Sequence, residues 1–269
     1  MSDAVEKNPW AELKAFTNAR IALGRAGNGL PTAPLLAFNL AHAQARDAVH
    51  QPLDVDALRS ELEAAGFATL AAASAAPDRE HYLRRPDLGR RLSDESRAVL
   101  AEAGKANNAG PDIVFVIGDG LSALAAAKQA MPLLQAVRER LNADAAAGHG
   151  WHVGPVVVAR QARVALGDEI GELLGAKLVA MLIGERPGLS SPDSLGVYLT
   201  WAPKVGCYDA MRNCISNVRP EGLPYDGAAH KLHYLLTHAR RLGLTGVGLK
   251  DDSDALLPGG QDARRIGPT

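Results

Sequence analysis

Aromatic side chains make up only 4% of this chain, and cysteine occurs twice, at Cys207 and Cys214. So few Phe, Tyr and Trp residues argue against the stacking platforms that single-stranded nucleic acids need. Charge of one sign is missing as well. The 29 basic residues face 30 acidic ones, and no long basic run supplies the electrostatic footprint of a nucleic-acid binder. The two cysteines have no Cys or His companions at zinc-ligand spacing, so they read as reduced thiols, not as a disulfide or a structural zinc site. No uninterrupted apolar segment approaches the roughly 20 residues that span a bilayer. The opening MSDAVEKNPWAELKAF lacks the apolar core of a secretory signal. Together these absences predict a soluble, cytoplasmic protein with no nucleic-acid and no membrane partner.

What is present is enough chain, 269 residues, for a sizeable core. Residues 1–108 read as an N-terminal helical region. Asn8-Pro9-Trp10 opens a short helical pattern, Leu35, Leu36, Phe38, Leu40 and Ala41 give a second one an apolar face, and residues 54–65 form a third. Two basic corners lie among them, at residues 20–25 (RIALGR) and 82–91 (YLRRPDLGRR). Such a corner is either a solvated turn or a clamp for an anionic group or a partner surface. After residue 108 the rhythm changes. Apolar runs at 112–117, 153–159, 178–183 and 195–201 read as strands, and helical spacing at 121–141, 168–174 and 228–242 separates or follows them. This alternation predicts an α/β fold with a mostly parallel, doubly wound sheet over residues 109–250. Residues 251–269, rich in Asp, Gly and Pro, are expected to form a mobile tail.

Within that sheet the stretch KLVAMLIGERPG (residues 177–188) stands out. Its apolar run fits a strand buried on both faces, and its carboxyl end carries Glu185-Arg186 between glycine and proline. Ligands of open α/β sheets bind at that end of the strands, though a solvated ion pair at a turn would look the same. GDGLSA (residues 118–123) fits a loose dinucleotide-loop pattern, but the next strand ends at Arg160, where an acidic residue is wanted. Ser122 lacks the second glycine of a nucleophile elbow. Asp168 is placed to cap the helix at 168–174, and Cys214-Ile215-Ser216-Asn217 reads as a polar loop after the fourth strand.

Several segments, in order, resemble the small (light) subunit of ethanolamine ammonia-lyase: ARIALGRAG (19–27), YLRRPDLGRRL (82–92), DIVFVIGDGLSA (112–123), the run 159–203 containing GERPGL, and RNCISNVRPEGLPYDGAA (212–229). The resemblance covers most of residues 17–245. It implies a Rossmann-like, corrinoid-binding domain at 109–250, in a subunit of an adenosylcobalamin-dependent lyase that converts ethanolamine to acetaldehyde and ammonia. A TIM-barrel large subunit would bind the ethanolamine, and the corrinoid would lie at the interface of a hetero-oligomer. The cofactor contacts implied are Val164, Glu185 and Cys214, with no catalytic residue and no metal ligand in this chain. The absence of a D-x-H-x-x-G motif fits a family whose cofactor keeps its own dimethylbenzimidazole as lower ligand. The implied location is cytoplasmic, and some members are packaged in a bacterial microcompartment through a longer N-terminal extension. Two other readings stand beside this one: a nucleotide-dependent Rossmann enzyme built on GDGLSA, and a non-catalytic scaffold subunit.

Overall fold

A computed structural model describes residue 5, residues 8–106 and residues 109–256. A 3-10 turn (Pro9–Phe16), α1 (Thr32–His50) and α2 (Val55–Ala64) lead to β1 (Thr69–Ala73), followed by α3 (Arg79–Arg84) and α4 (Asp94–Ala106). Then come β2 (Ile113–Gly118), α5 (Ala123–Ala146), β3 (Val156–Arg160), α6 (Leu166–Leu173), β4 (Leu178–Gly184), β5 (Leu195–Trp201), β6 (Arg212–Val218) and α7 (Tyr225–Leu242). Every residue of β2 and β4 is buried, as strands covered on both faces require.

The six strands form one sheet in the order β1-β3-β2-β4-β5-β6. The pairs β1–β3, β3–β2 and β2–β4 are parallel, whereas β4–β5 and β5–β6 are antiparallel. The α/β class therefore holds, but the sheet is mixed: only β1, β3, β2 and β4 run parallel, and the structure does not bear out the expected Rossmann-like doubly wound sheet. The physical reason is the connection. Residues 185–194 carry no helix and are fewer than the dozen or so needed to cross back to a parallel neighbour, so the chain turns and β5 runs against β4. Two strands were not anticipated. β1 comes from the stretch expected to be helical, and β6 occupies the segment read as a polar loop.

Alternation along the strands sends side chains into two cores. On one face Ile113, Phe115, Leu182 and Val197 meet Leu62 of α2, Leu134 of α5 and Leu232 of α7. On the other, Val116, Val179 and Met181 meet Leu100 of α4 and Ile170 of α6. Each such side chain, fully buried, contributes roughly 1.5–3 kcal/mol relative to exposure. The second face is covered only as far as β4. Over β5 and β6 it stays open, with Tyr198 half-buried and Cys214 and Ser216 exposed. The N-terminal arm packs lightly: α1 buries only Ala41 and Ala48, while Trp10, Phe16, Leu36 and Leu40 are exposed.

Of the tail expected to be mobile, residues 251–256 include a 3-10 turn (Ser253–Leu256), and Lys231 of α7 donates to Asp254 at 2.6 Å. Residues 257–269 lie outside the described residues. No helix among the described residues is long and apolar enough to cross a membrane.

Candidate functional site

The loops at the carboxyl ends of β2, β3 and β4 are stitched to one another. Asp119, 2% exposed, follows β2, and its carboxylate accepts from the backbone N–H groups of Gln161 and Ala162 after β3, both at 2.9 Å. Arg79 Nη1 donates to the same carboxylate at 3.1 Å. Leu121 N–H donates to the Gly184 carbonyl at the end of β4, at 2.9 Å. A Cβ on Gly120 would meet that carbonyl oxygen at 2.1 Å, and one on Gly184 would meet the Ser122 carbonyl at 2.0 Å. The glycines of GDGLSA thus permit close contact between two backbones. The Ser122 hydroxyl caps α5 at Ala125 N–H and donates to the Pro192 carbonyl, which closes the loop 185–194 over the helix N-terminus. That arrangement is unlike the open phosphate cradle a nucleotide needs.

Glu185, one residue past β4, turns onto the open face of the sheet. Its carboxylate accepts from the Ser194 hydroxyl and, at 3.3 Å, from Asn217 N–H. A Cβ on Gly196 would lie 3.0 Å from Glu185 Oε1, so the glycine makes room for the carboxylate over β5. The Asn217 N–H is aimed by a bulge. Val197 pairs with Ile215 and Leu195 with Val218, which leaves β6 one residue longer than β5 there. Asn217 takes up the excess at φ +60°, a conformation Asn tolerates better than most residues. Bulges commonly re-aim groups in this way beside functional sites.

Cys214 lies inside β6, not in a loop, level with Tyr198 of β5, which is level with Met181 of β4. Neighbouring strands are about 4.8 Å apart, so this row extends about 10 Å from Met181 to Cys214. Cys214 Sγ is exposed, 3.3 Å from Ser216 Oγ, and both cysteines are free thiols. Burial raises the Tyr198 phenol to about 12, helped by the Cys214 thiol and the Glu185 carboxylate, so it stays a neutral hydroxyl. Val164 is half-buried after β3, and its carbonyl accepts from Gly167 N–H in the first turn of α6. Gly167 in turn packs on Met181, with its Cβ position 3.4 Å from Met181 Sδ. Val164 therefore reaches the row through α6, while Glu185 and Cys214 share the open face directly.

Asp168 does not cap α6; the cap position is Ala165, which offers no side-chain bond. Instead the Asp168 carboxylate holds Arg212 at the start of β6, with Nη2 to Oδ2 at 2.7 Å. Arg212 also donates to Thr200 Oγ1 and the Cys207 carbonyl. This buried pair anchors the amino end of β6 to α6 and so fixes the row containing Cys214. Sequence reasoning missed Tyr198, Ser194 and Arg212. Tyr198 could have been found, since LGVYLTW alternates, and a tyrosine at the one bulky position of its second face marks a face that is not fully buried.

A corrinoid is a broad, largely apolar disc with amide groups at its edge, and the open face suits such a ligand. It is flat, bordered by Val164, supplies hydroxyl and thiol groups, and has one carboxylate with unused acceptor capacity. The family profile described as "Ethanolamine ammonia-lyase light chain (EutC)" matches residues 7–250. The "Ethanolamine ammonia-lyase small subunit" of Ralstonia nicotianae is 56% identical over 94% of this chain and 92% of that protein. Its namesake from Pseudomonas fluorescens strain Pf0-1 is 57% identical over 92% of this chain and 88% of that one. The Azotobacter vinelandii protein of the same name is 56% identical over 92% and 90%. With a profile spanning nearly its whole length and relatives this similar, the chain belongs to the ethanolamine ammonia-lyase light-chain family.

Proposed function

We propose that this chain is the small subunit of an adenosylcobalamin-dependent ethanolamine ammonia-lyase and helps hold the corrinoid at its interface with a TIM-barrel large subunit. The large subunit binds ethanolamine, and the complex yields acetaldehyde and ammonia. When bound, adenosylcobalamin supplies the radical chemistry. The residues of this chain bind and orient. Glu185, held by Ser194 and Asn217, accepts from amide N–H groups at the corrinoid edge. Cys214 and Tyr198 give the disc a flat contact, and Val164 closes the border nearest α6. No side chain here is assigned proton transfer. The reading places the complex in the cytoplasm, and a bacterial microcompartment is one setting in which such enzymes work.

The observation that carries this reading is the open face of β5 and β6, with Glu185, Tyr198 and Cys214 on it and Val164 at its border. In the large–small complex, Glu185→Ala should weaken cobalamin binding about tenfold, as loss of a hydrogen bond to a charged group does. Sedimentation should show the complex still assembled. Unchanged affinity in Glu185→Ala and in Cys214→Ala would favour the scaffold reading and remove the corrinoid role from this face.

A further inference from the structure

The arginine-rich corner at residues 82–91 has one part that is neutralised and one that is not. Arg84 pairs with Glu80 at 2.9 Å and Arg85 with Asp87 at 2.8 Å. Among the described residues Arg90, Arg91 and Arg163 have no acid within ion-pair distance. These three line a cavity of about 510 Å³ together with Val164, Asp209 and Arg212. Arg212 is matched by Asp168 behind it and by Asp209 at 3.6 Å. The cavity therefore holds an excess of positive charge beside Val164.

The corner is fastened to the loop carrying Val164. Arg163 N–H donates to the Gly89 carbonyl at 2.8 Å, and the Arg163 stem crosses the turn where a Gly89 Cβ would lie 2.9 Å from Cγ. The guanidinium lies over the Tyr82 ring, 4.3 Å from its centroid, and its buried Nε–H has no acceptor. Tyr82 is fully buried and donates to the Ala162 carbonyl at 2.9 Å. Arg163 is thus a positioned guanidinium with an unused donor, stacked on an aromatic support, as in sites that read phosphate or carboxylate.

We propose that this cavity binds a phosphate group, and that the group is the phosphodiester of the nucleotide arm of the corrinoid whose disc faces Glu185 and Cys214. The inference rests on the corrinoid reading above. A cobalamin that keeps its dimethylbenzimidazole carries one such phosphodiester on the arm leading to that base. Val164 then marks the point where the apolar contact with the disc gives way to charge recognition of the arm.

The test compares cobalamin with cobinamide, which lacks the nucleotide arm, by equilibrium dialysis against the large–small complex. Arg163→Gln should weaken cobalamin about tenfold and leave cobinamide unchanged. Because Arg163 also supports the loop, the exposed pair Arg90→Gln/Arg91→Gln serves as a second variant and should show the same selective loss. Inorganic phosphate at constant ionic strength should weaken cobalamin alone, and less so in the variants. Equal loss for both corrinoids, or loss for neither, overturns the phosphate site. If Glu185→Ala still weakens both, the corrinoid reading survives that failure. Weaker association with the large subunit at an unchanged cobalamin-to-cobinamide ratio also overturns it, and assigns the arginines to an acidic partner surface. Phosphate competition that persists undiminished in the variants assigns the effect to free phosphate elsewhere.

Discussion

Arg212 and Asp168 have side chains 3% and 1% exposed, so each is the other's main means of being charged in that place. Arg212→Met leaves Asp168 buried without a counter-charge and should cost about 3–5 kcal/mol in urea unfolding. Arg212→Met with Asp168→Leu should recover most of that loss. A double variant as unstable as the single one would mean that packing, not charge, sets the cost. This pair was only half legible in the sequence, where Asp168 looked like a helix cap because acidic residues often open helices. Its true partner lies 44 positions away, across a strand pairing that no local pattern reveals. Glu185 was legible as a special position from its glycine and proline neighbours. Its hydrogen bonds to Ser194 and Asn217 were not, because they depend on β5 reversing and β6 bulging.

At the scale of elements, the strands with strongly apolar sequences announced themselves, β5 (Leu195–Trp201) among them despite its open second face, and β1 and β6 did not. β2 and β4 are continuous apolar runs, and the run at residues 153–159 contains most of β3. β1 (TLAAA) is an alanine-rich edge strand, and Ala is depleted in strands. β6 (RNCISNV) buries Ile215 and Val218 on one face and turns Cys214 and Ser216 to solvent on the other, so its polar residues looked like a loop. The direction of β5 could have been read from the length of its connection, a stretch too short and too irregular to be a crossover. The bulge in β6 makes a clear prediction. Asn217→Gly keeps the left-handed backbone and should retain stability and cobalamin affinity. Asn217→Val forces a branched residue into φ +60° and should cost about 1–3 kcal/mol. It should also weaken cobalamin binding, since the N–H that steadies Glu185 would move.

For the molecule as a whole, acid sensitivity follows from carboxylates held low at the edge where α5 and α7 meet. Burial opposes ionisation of Asp112, yet bonds from Lys177 and His152 N–H, with Arg240 nearby, hold its carboxyl below the usual range. Asp144 is held low in the same sense, against burial, by His233 and Trp151. A carboxyl depressed on folding stabilises the native state above its unfolded value, near 3.9, and that contribution fades as pH falls through the folded value. Thermal stability should therefore decline from about pH 5 downward, and Asp112→Asn should be less stable at neutral pH with a flatter acid limb. An acid limb identical to that of the parent protein would count against this role for Asp112. The mixed sheet also leaves β6 as its last strand; Leu223 N–H donates to the Asn217 carbonyl at its carboxyl end, and the rest of the strand is the edge that another copy could extend by pairing. The kink at residues 216 and 217 breaks the regular spacing such a templated strand would need. One irregular residue thus guards this edge of the sheet, the one opposite β1, against extension by another copy.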